Sequence, residues 1–216
     1  MAQTDCRTTP MAGTHAAVGV LCLLGAVAVL VTGGLWLCPS DACRVPAIDS
    51  AVLAAAHAAQ GPTLNAFAAG TTWFGSLFVL APLCLLAAGV GRVCRRPREG
   101  LLPLLSLAGA ALLGQLVKEW LDRPRPALFD AIVRLPGSPS FPSGHTIQAS
   151  AALLALALLL PPRQRRAGVV AALALAAVVG ATRVHLQVHY PTDVALGLAA
   201  GGLWSIGVWR LLQARP

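Results

Sequence analysis

Residues 17–37 read AVGVLCLLGAVAVLVTGGLWL, an apolar stretch without a charged residue. A helix needs roughly 20 apolar residues to cross the hydrocarbon core of a bilayer, so this stretch suits a transmembrane helix. A cleaved secretory signal is the alternative, but its apolar core covers only about 7–15 residues and ends at small residues. The quoted stretch is longer and runs into Trp36-Leu37-Cys38. We therefore expect an uncleaved helix.

The same pattern recurs along the rest of the chain. Charged residues make up only 11% of the sequence, whereas a soluble domain carries about 25%. Further uncharged apolar blocks occupy Leu64–Gly91, Leu101–Val117, Thr146–Leu160, Ala167–Thr182 and Val194–Trp209. Three of these blocks are short for a membrane span, which a water-filled site cut into one membrane face would explain. The predicted fold is all-α: one domain over residues 16–213, an integral membrane bundle of six transmembrane helices, preceded by a cytoplasmic tail over residues 1–15.

The net charge of +8 raises the question of a nucleic-acid partner, but its distribution argues against one. Arginines cluster in residues 92–98, 163–166 and 210–215, which are alternate connections of a six-helix serpentine. Short loops rich in Lys and Arg stay in the cytoplasm, so both termini are expected inside. The natural partner of this charge is the anionic surface of a lipid bilayer. The remaining connections then face outward: residues 38–63, 120–145 and 183–192.

The first outward connection carries two cysteines and an alanine-rich stretch. Cys38 and Cys43 form a disulfide if the outer compartment is oxidising, and otherwise stay as free thiols. Ile48–Gln60 is predicted to form a short helix along the outer surface, ended by Gly61-Pro62.

The second outward connection begins with KEWLDRPRP, residues 118–126. Lys118 is the only lysine in the chain, and its position at the outer end of a helix runs against the inward preference of basic residues. Side chains that reach from a helix end toward the membrane surface are the simple explanation. That explanation does not account for Pro124 and Pro126, which stiffen the segment.

The same connection ends with PSFPSGHT, residues 139–146. Ser143 is expected to cap the next helix, which leaves the backbone N–H groups of Gly144 and His145 facing outward. Such a helix start can bind an anion, and Gly144 places no side chain in the way. Alone, this segment indicates only a capped helix.

The third outward connection reads TRVHLQVHYPTD, residues 182–193. Ionisable groups at membrane depth are energetically expensive and usually functional. His189 and Asp193 are four residues apart, so the carboxylate can accept the Nδ1 proton and fix the tautomer of the ring. The Nε2 atom is then free to act as a nucleophile.

A metal site on His185, His189 and Asp193 is the competing interpretation of this segment. Over eight residues an α-helix turns through about 800°, so His185 and Asp193 would be misaligned by roughly 80°. Pro191 also suits the first turn of a new helix. We therefore expect no metal, with His185 in a structural role or in the wall of the pocket.

Taken together, the three segments resemble the signature of type 2 phosphatidic acid phosphatases. The matching motifs are Lys-x6-Arg-Pro at residues 118–126, Pro-Ser-Gly-His at 142–145 and Arg-x5-His-x3-Asp at 183–193. Any one motif is weak, but all three in order are highly specific. The third motif often begins Ser-Arg where this chain has Thr182-Arg183, which keeps a hydroxyl. Arg123 falls in the variable part of the first motif, and its role stays open.

The resemblance implies a role for each matching residue. His189 would attack phosphorus with Asp193 holding its ring, and His145 would serve as general acid and then as general base. The phosphoryl oxygens would be held by Lys118, Arg125, Ser143, Gly144 and Arg183. Because one histidine must be neutral and the other protonated, a bell-shaped pH profile is expected. No metal and no cofactor are implied.

We therefore expect a lipid phosphatase in a bacterial cytoplasmic membrane, with its active site facing the periplasm or exterior. The expected substrates are undecaprenyl diphosphate, phosphatidylglycerophosphate or phosphatidate. Phosphate transfer to another lipid would use the same residues. A lipid-headgroup binder or transporter is the non-catalytic alternative, although it has no need of the pair His189 and Asp193. The sequence leaves the oligomeric state open.

Overall fold

The computed structural model describes residues 9–40 and 42–214, and this part of the chain contains α-helices and no strand. A short 3-10 helix over Thr72–Gly75 separates two of the α-helices. The α-helices are α1 (Thr9–Leu37), α2 (Ala47–Ala58), α3 (Pro62–Thr71), α4 (Leu77–Val93), α5 (Pro97–Leu121), α6 (Gly144–Leu158), α7 (Pro162–His185) and α8 (Pro191–Gln213). The all-α prediction is confirmed for these residues. The predicted tail lies partly outside them, since residues 1–8 are not described and α1 begins at Thr9.

Five stretches among the described residues are long and apolar enough to cross a membrane: Gly13–Leu37, Pro62–Val93, Pro97–Leu121, Pro162–His185 and Pro191–Gln213. The predicted span that is absent from this set is the fourth, Thr146–Leu160, which corresponds to α6 and has only 15 residues. At 1.5 Å per residue such a helix covers about 22 Å, less than the roughly 30 Å of a bilayer core. The membrane bundle is confirmed, and the count of six spans is not.

Helix α6 runs through the centre of the bundle, which explains how so short a helix is accommodated. Ala149, Ala151, Ala152 and Ala155 have no exposed surface. Gly201 of α8 lies against the backbone of α6, with no room for a side chain between the two helices. Small residues let membrane helices approach this closely. Neighbouring helices, rather than lipid, therefore surround α6.

The second apolar block differs from its prediction as one continuous helix. The chain leaves α-helical geometry at Thr72 and resumes it at Leu77, after an extended backbone at Ser76. The Ser76 hydroxyl and backbone N–H both donate to the carbonyl oxygen of Trp73. This break carries Gly75 inward against His145, so an interruption in a membrane span forms part of the wall of the site.

The first connection, which was predicted to face outward, contains the expected short helix. Helix α2 (Ala47–Ala58) replaces the expected Ile48–Gln60, and Pro62 begins α3 directly after Gly61. Cys38 and Cys43 form a disulfide. The connection therefore consists of a disulfide loop and a helix, and Asp49 of this helix accepts hydrogen bonds from Thr192 at the start of α8.

Candidate active site

Four helix ends, those of α4, α5, α6 and α7, meet at one end of the bundle and enclose a cavity of about 590 Å³. Lys118 lies near the end of α5, Gly144 and His145 begin α6, and Arg183 lies near the end of α7. These four residues line the cavity. Three distant segments of sequence therefore converge as predicted, and they bring cationic side chains, a histidine and a helix N-terminus into one space.

One side of this cavity is apolar and open. Trp73, Leu77 and Phe78 line it where α4 begins, and Phe78 is 82% exposed. The cavity therefore combines a basic interior with an apolar side wall.

His189 lies in the short connection between α7 and α8 and is only 2% exposed. Its Nδ1 atom is 3.5 Å from Oδ2 of Asp193, the partner predicted from their spacing. The same carboxylate oxygen accepts a hydrogen bond of 2.9 Å from the backbone N–H of Tyr190, because Asp193 lies in the first turn of α8. The start of α8 thereby fixes the carboxylate that faces the imidazole.

The other ring nitrogen of His189 faces Arg125. Its Nε2 atom lies 3.3 Å from Nη1 of Arg125. A guanidinium can only donate, so Nε2 accepts and the ring proton belongs on Nδ1, toward Asp193. Burial lowers the pKa of His189 to about 3, although its hydrogen bond to Asp193 and the negative charge of that residue oppose the shift. The imidazole is neutral, with its Nε2 lone pair directed at a cation.

Lys118 and Arg125 are held next to each other by the segment before α6. The Lys118 ammonium and Nη2 of Arg125 both donate to the carbonyl oxygen of Pro139. Nε of Arg125 donates to the carbonyl oxygen of Ser138 over 2.9 Å. The shared carbonyl places the two cations close together, and Arg125 also reaches His189.

Arg183 is buried, and its neighbours accept only some of the hydrogen bonds that its guanidinium can donate. Its Nη1 atom donates to the hydroxyl of Thr72 over 3.0 Å. Its Nε–H is buried and has no hydrogen-bond partner among the described residues. A buried donor without a partner is costly, and the phosphoryl oxygen of a ligand would satisfy it.

The start of α6 differs from its prediction in one respect. Ser143 occupies the N-cap position, but its side chain does not cap the helix. Its hydroxyl instead accepts a hydrogen bond of 2.8 Å from Thr146. The prediction that Ser143 is the N-cap residue is confirmed, although its side chain makes no capping hydrogen bond. The first N–H groups of α6 are thus left for another acceptor.

Gly144 leaves open space at this helix start. A Cβ atom placed on it would lie 3.9 Å from Cε of Lys118 and 3.9 Å from Nε2 of Gln148. No neighbour therefore demands glycine for steric reasons. The small residue keeps the first turn of α6 open toward the Lys118 side chain, as an anion site requires.

Three further polar residues belong to this arrangement. Sequence reasoning left the role of Arg123 open and singled out neither Ser140 nor Asp49. Ser140 donates to Oδ2 of Asp193, and its Oγ lies 3.5 Å from Nδ1 of His189. Arg123 donates to Oδ1 of Asp193, and Asp49 of α2 accepts from Arg123. Ser140 and Arg123 lie inside the segments that carry the motifs, and this position in the sequence could have marked them as members of the site. Asp49 belongs to no motif.

His185 lies apart from this arrangement. Its Nε2 atom is 2.8 Å from Oδ1 of Asn65, in agreement with a structural role. Helix α7 ends at His185 and α8 begins at Pro191, so the three residues considered for a metal do not share a helix. The described residues contain no group of three or more His, Cys, Asp or Glu side chains suited to a metal ion.

The chain resembles known proteins over most of its length. Residues 99–216 match the model of the PAP2 superfamily. Phosphatidylglycerophosphatase B of Bacillus subtilis is 33% identical over 163 residues, which cover 73% of this chain and 79% of that protein. The decaprenylphosphoryl-5-phosphoribose phosphatase of Mycobacterium tuberculosis is 32% identical over 162 residues, covering 73% of this chain and 87% of that protein.

A solved structure extends this similarity to the fold. The crystal structure of a transmembrane PAP2-type phosphatidylglycerolphosphate phosphatase from Bacillus subtilis superimposes with a TM-score of 0.74 at 30% sequence identity. The alignment covers 88% of this chain and 94% of that chain. The similarity therefore includes helices that precede the family match at residue 99.

Proposed function

The chain belongs to the PAP2 superfamily and is an integral membrane protein, and from this premise we propose that it hydrolyses a lipid phosphomonoester or diphosphate through a phosphohistidine. One observation supports this most directly. The Nε2 lone pair of His189 faces Arg125, which shares the Pro139 carbonyl oxygen with Lys118 of the cavity. A nucleophile and cations for the phosphoryl oxygens are thereby adjacent.

The proposed reaction has two steps. In the first, Nε2 of His189 forms a bond to phosphorus while the bond from phosphorus to the lipid oxygen breaks, and His145 gives that oxygen its proton. In the second, His145 removes a proton from water, the resulting oxygen attacks phosphorus, and the bond from phosphorus to nitrogen breaks. Asp193 stabilises the positive charge that develops on the ring. Phosphate and the dephosphorylated lipid are the products.

Charge stabilisation comes from the protein in this proposal. Lys118, Arg125 and Arg183 would bind the phosphoryl oxygens, together with Ser143 and the Gly144 backbone N–H. Donors fixed in advance around a developing charge supply the largest single contribution in many enzymes. Three cations and a helix N-terminus can replace the metal ions that stabilise phosphoryl groups elsewhere. The reaction would then need no metal.

The apolar side wall of the cavity favours a lipid over a soluble phosphate ester. Related proteins are named for phosphatidylglycerophosphate and for a decaprenyl phosphate derivative. Phosphatidylglycerophosphate, phosphatidate and undecaprenyl diphosphate each combine a phosphate at the headgroup plane with apolar chains. We propose a substrate of this class. The arginine-rich connections favour an active site on the opposite, outer face of a bacterial cytoplasmic membrane.

Purified protein assayed for phosphate release would test this proposal. The panel comprises the three lipids named above and glycerol 3-phosphate as a soluble control, each with wild type and His189→Ala. We expect release from at least one lipid, loss of release in the variant, and little release from the control. Product analysis by mass spectrometry separates hydrolysis from transfer to a second lipid. Phosphate release that survives His189→Ala would exclude the proposed nucleophile.

A further inference from the structure

Arg123 is buried at the back of the candidate site, where it is 1% exposed. It follows the end of α5, and its burial leaves little solvent to stabilise the guanidinium. A charged side chain is usually buried only where other groups neutralise its charge or form hydrogen bonds with it. The residues that compensate Arg123 therefore indicate its role.

Its guanidinium joins two carboxylates that come from opposite parts of the chain. Nη1 donates to Oδ1 of Asp193, and Nη2 donates to Oδ2 of Asp49 over 3.1 Å. Neither carboxylate has any exposed surface. Asp49 also accepts hydrogen bonds from the backbone N–H and the hydroxyl of Thr192, at 2.9 Å and 2.7 Å. Asp49 thus holds both Arg123 and the first turn of α8.

These contacts leave the two oxygens of Asp193 with different functions. Oδ1 receives the hydrogen bond from Arg123, while Oδ2 faces Nδ1 of His189 and accepts from Ser140. Because Arg123 occupies Oδ1, the carboxylate cannot rotate without losing a charged hydrogen bond. Asp49 in turn fixes the orientation of Arg123.

We propose that Arg123 and Asp49 are positioning residues that hold the Asp193 carboxylate for its interaction with His189. This inference rests on the proposed function. Asp49 precedes the family match, which begins at residue 99. Helix α2 would therefore complete the catalytic arrangement from outside the signature motifs. Groups that orient metal ligands through hydrogen bonds change activity by about 10- to 100-fold when substituted, and we expect an effect of similar size for a group that orients a catalytic carboxylate.

A double-mutant cycle separates positioning from a general structural role. Asp193→Asn should lower kcat by about 10²- to 10⁴-fold, and Arg123→Gln by about 10- to 100-fold with little change in KM. If Arg123 acts through Asp193, the double variant should be no slower than Asp193→Asn alone. A fall in kcat for the double variant equal to the product of the two single-variant falls would overturn the proposal. Failure of Asp193→Asn to lower kcat would instead contradict the proposed function itself.

Asp49→Asn provides a second test that preserves side-chain volume. We expect a fall in kcat of about 10-fold or more and no further fall in the Asp193→Asn background. Arg123→Lys keeps the charge and should recover part of the activity lost in Arg123→Gln. Asp130→Asn, an exposed residue of the α5–α6 connection, is the matched control and should leave kcat unchanged. An Asp49→Asn variant as active as this control would also overturn the proposal.

A second cavity, of about 620 Å³, lies at the opposite end of the bundle. The start of α5, the turn between α6 and α7, and the end of α8 enclose it. Leu102 and Leu158 form a buried apolar floor. The charged lining consists of Arg96, Arg98 and Arg165 together with Glu99, whose carboxylate lies 3.6 Å from Nη1 of Arg96, so the arginines outnumber the one acidic residue. An apolar floor beneath several arginines has the chemistry of a phospholipid site.

Arg165 distinguishes this cavity from an ordinary basic loop. Arg163 and Arg166 beside it are exposed, whereas Arg165 is turned inward. Its Nε donates to the carbonyl oxygen of Leu160 over 3.3 Å, and its guanidinium carbon lies 5.8 Å from the centre of the Trp209 ring. The preference of basic loops for the cytoplasm depends only on their charge. It therefore does not explain why the Arg165 side chain is turned toward the cavity.

We infer that this second cavity binds the headgroup of an anionic phospholipid, with Arg165 as its central contact. Basic pockets between membrane helices at the cytoplasmic side bind such lipids. The inference is independent of the proposed reaction, which occurs at the other end of the molecule.

Native mass spectrometry of detergent-purified protein tests this site with dioleoylphosphatidylserine and with dioleoylphosphatidylcholine. We expect selective retention of the serine lipid, reduced about 10-fold or more by Arg165→Gln. Arg163→Gln is the matched control and should retain the lipid. Lys118→Gln alters the first cavity and shows whether the retained lipid is bound there instead. Equal retention by the Arg165 and Arg163 variants, or loss only in the Lys118 variant, would overturn the inference.

Discussion

Gly75 packs directly against His145: a Cβ atom placed on Gly75 would lie 2.8 Å from the His145 carbonyl oxygen and 2.9 Å from its Cβ. The same atom would lie 2.6 Å from a methyl group of Val179. Atoms do not pack at such distances without displacement, and one of these three neighbours is a backbone carbonyl oxygen, which cannot rotate away as a side chain can. The break in the second span thus fixes the position of the proposed acid.

Gly75→Ala should therefore slow catalysis without removing a polar group. A displacement near 1 Å can lower the rate by about 100-fold, so we expect kcat to fall by about 10- to 100-fold. Gly70→Ala is the matched control, because a Cβ atom there meets nothing within 4 Å. Steady-state kinetics of the two variants provide the measurement. Equal activity in both would show that this contact does not position His145.

Replacement of His189 should abolish turnover. His189→Ala is expected to lower kcat by at least about 10³-fold, since it removes the nucleophile. Labelled phosphate should become bound to wild-type protein in an acid-labile, alkali-stable form, and the variant should carry none. His57→Ala is a suitable control because His57 is exposed and stacks on Phe129. Labelling that persists in His189→Ala would assign the covalent intermediate to another residue.

The effect of His145→Ala should depend on the leaving group. Loss of a general acid typically lowers the rate by about 10²- to 10⁴-fold. The loss should be large for a lipid alcohol, which needs a proton, and much smaller for p-nitrophenyl phosphate, whose phenolate leaves unaided. Comparison of kcat/KM for the two substrates provides the measurement. An equal loss for both would argue against proton donation by His145.

The pH profile should differ from the bell shape expected from sequence alone. With its pKa lowered to about 3 by burial, His189 stays neutral above about pH 5, and its acid limb falls below the usual assay range. Burial and the positive charges of Arg183, Arg125 and Lys118 lower the pKa of His145 to about 4. The value of kcat/KM should therefore decrease already from about pH 5 upward, because His145 loses the proton that it donates. The measurement is kcat/KM between about pH 5 and 9, corrected for the second ionisation of the substrate phosphate near pH 6. His145→Ala should lack the alkaline limb, and a flat wild-type profile would contradict the assigned roles.

Activity should survive chelation. Because Lys118, Arg125 and Arg183 supply the positive charge in the proposed reaction, excess EDTA should leave phosphate release unchanged within about twofold. Dialysis against the chelator before the assay removes tightly bound ions. Activity that is lost on chelation and restored by a divalent cation would favour a metal-assisted reaction.

The residues that we propose as catalytic could be selected from the sequence because they lie in compact segments. Ser143, Gly144 and His145 are consecutive, and His189 and Asp193 are linked by one turn of backbone, so local spacing indicates their relation. Asp49 could not be found in this way. It reaches Arg123 only because α2 folds back over the start of α8, and nothing near it in the sequence marks that contact.

The break in the second span was missed for a different reason. Residues 72–76 carry no charge, and hydropathy does not register a change in backbone geometry. The shortness of α6 was visible in its apolar block. Its central position was not visible, because a helix surrounded by other helices and one surrounded by lipid can have the same apolar composition.

The exposed side wall formed by Trp73, Leu77 and Phe78 also affects how a substrate would arrive. A lipid with its phosphate at Lys118 could leave its tails among neighbouring lipids throughout the reaction. Lifting each CH₂ group into water would cost about 0.8 kcal/mol, a penalty that rises steeply for long polyprenyl chains. Lateral diffusion within the leaflet avoids this extraction step. Encounter would then depend on the surface density of the lipid, and tail length would add little to the barrier.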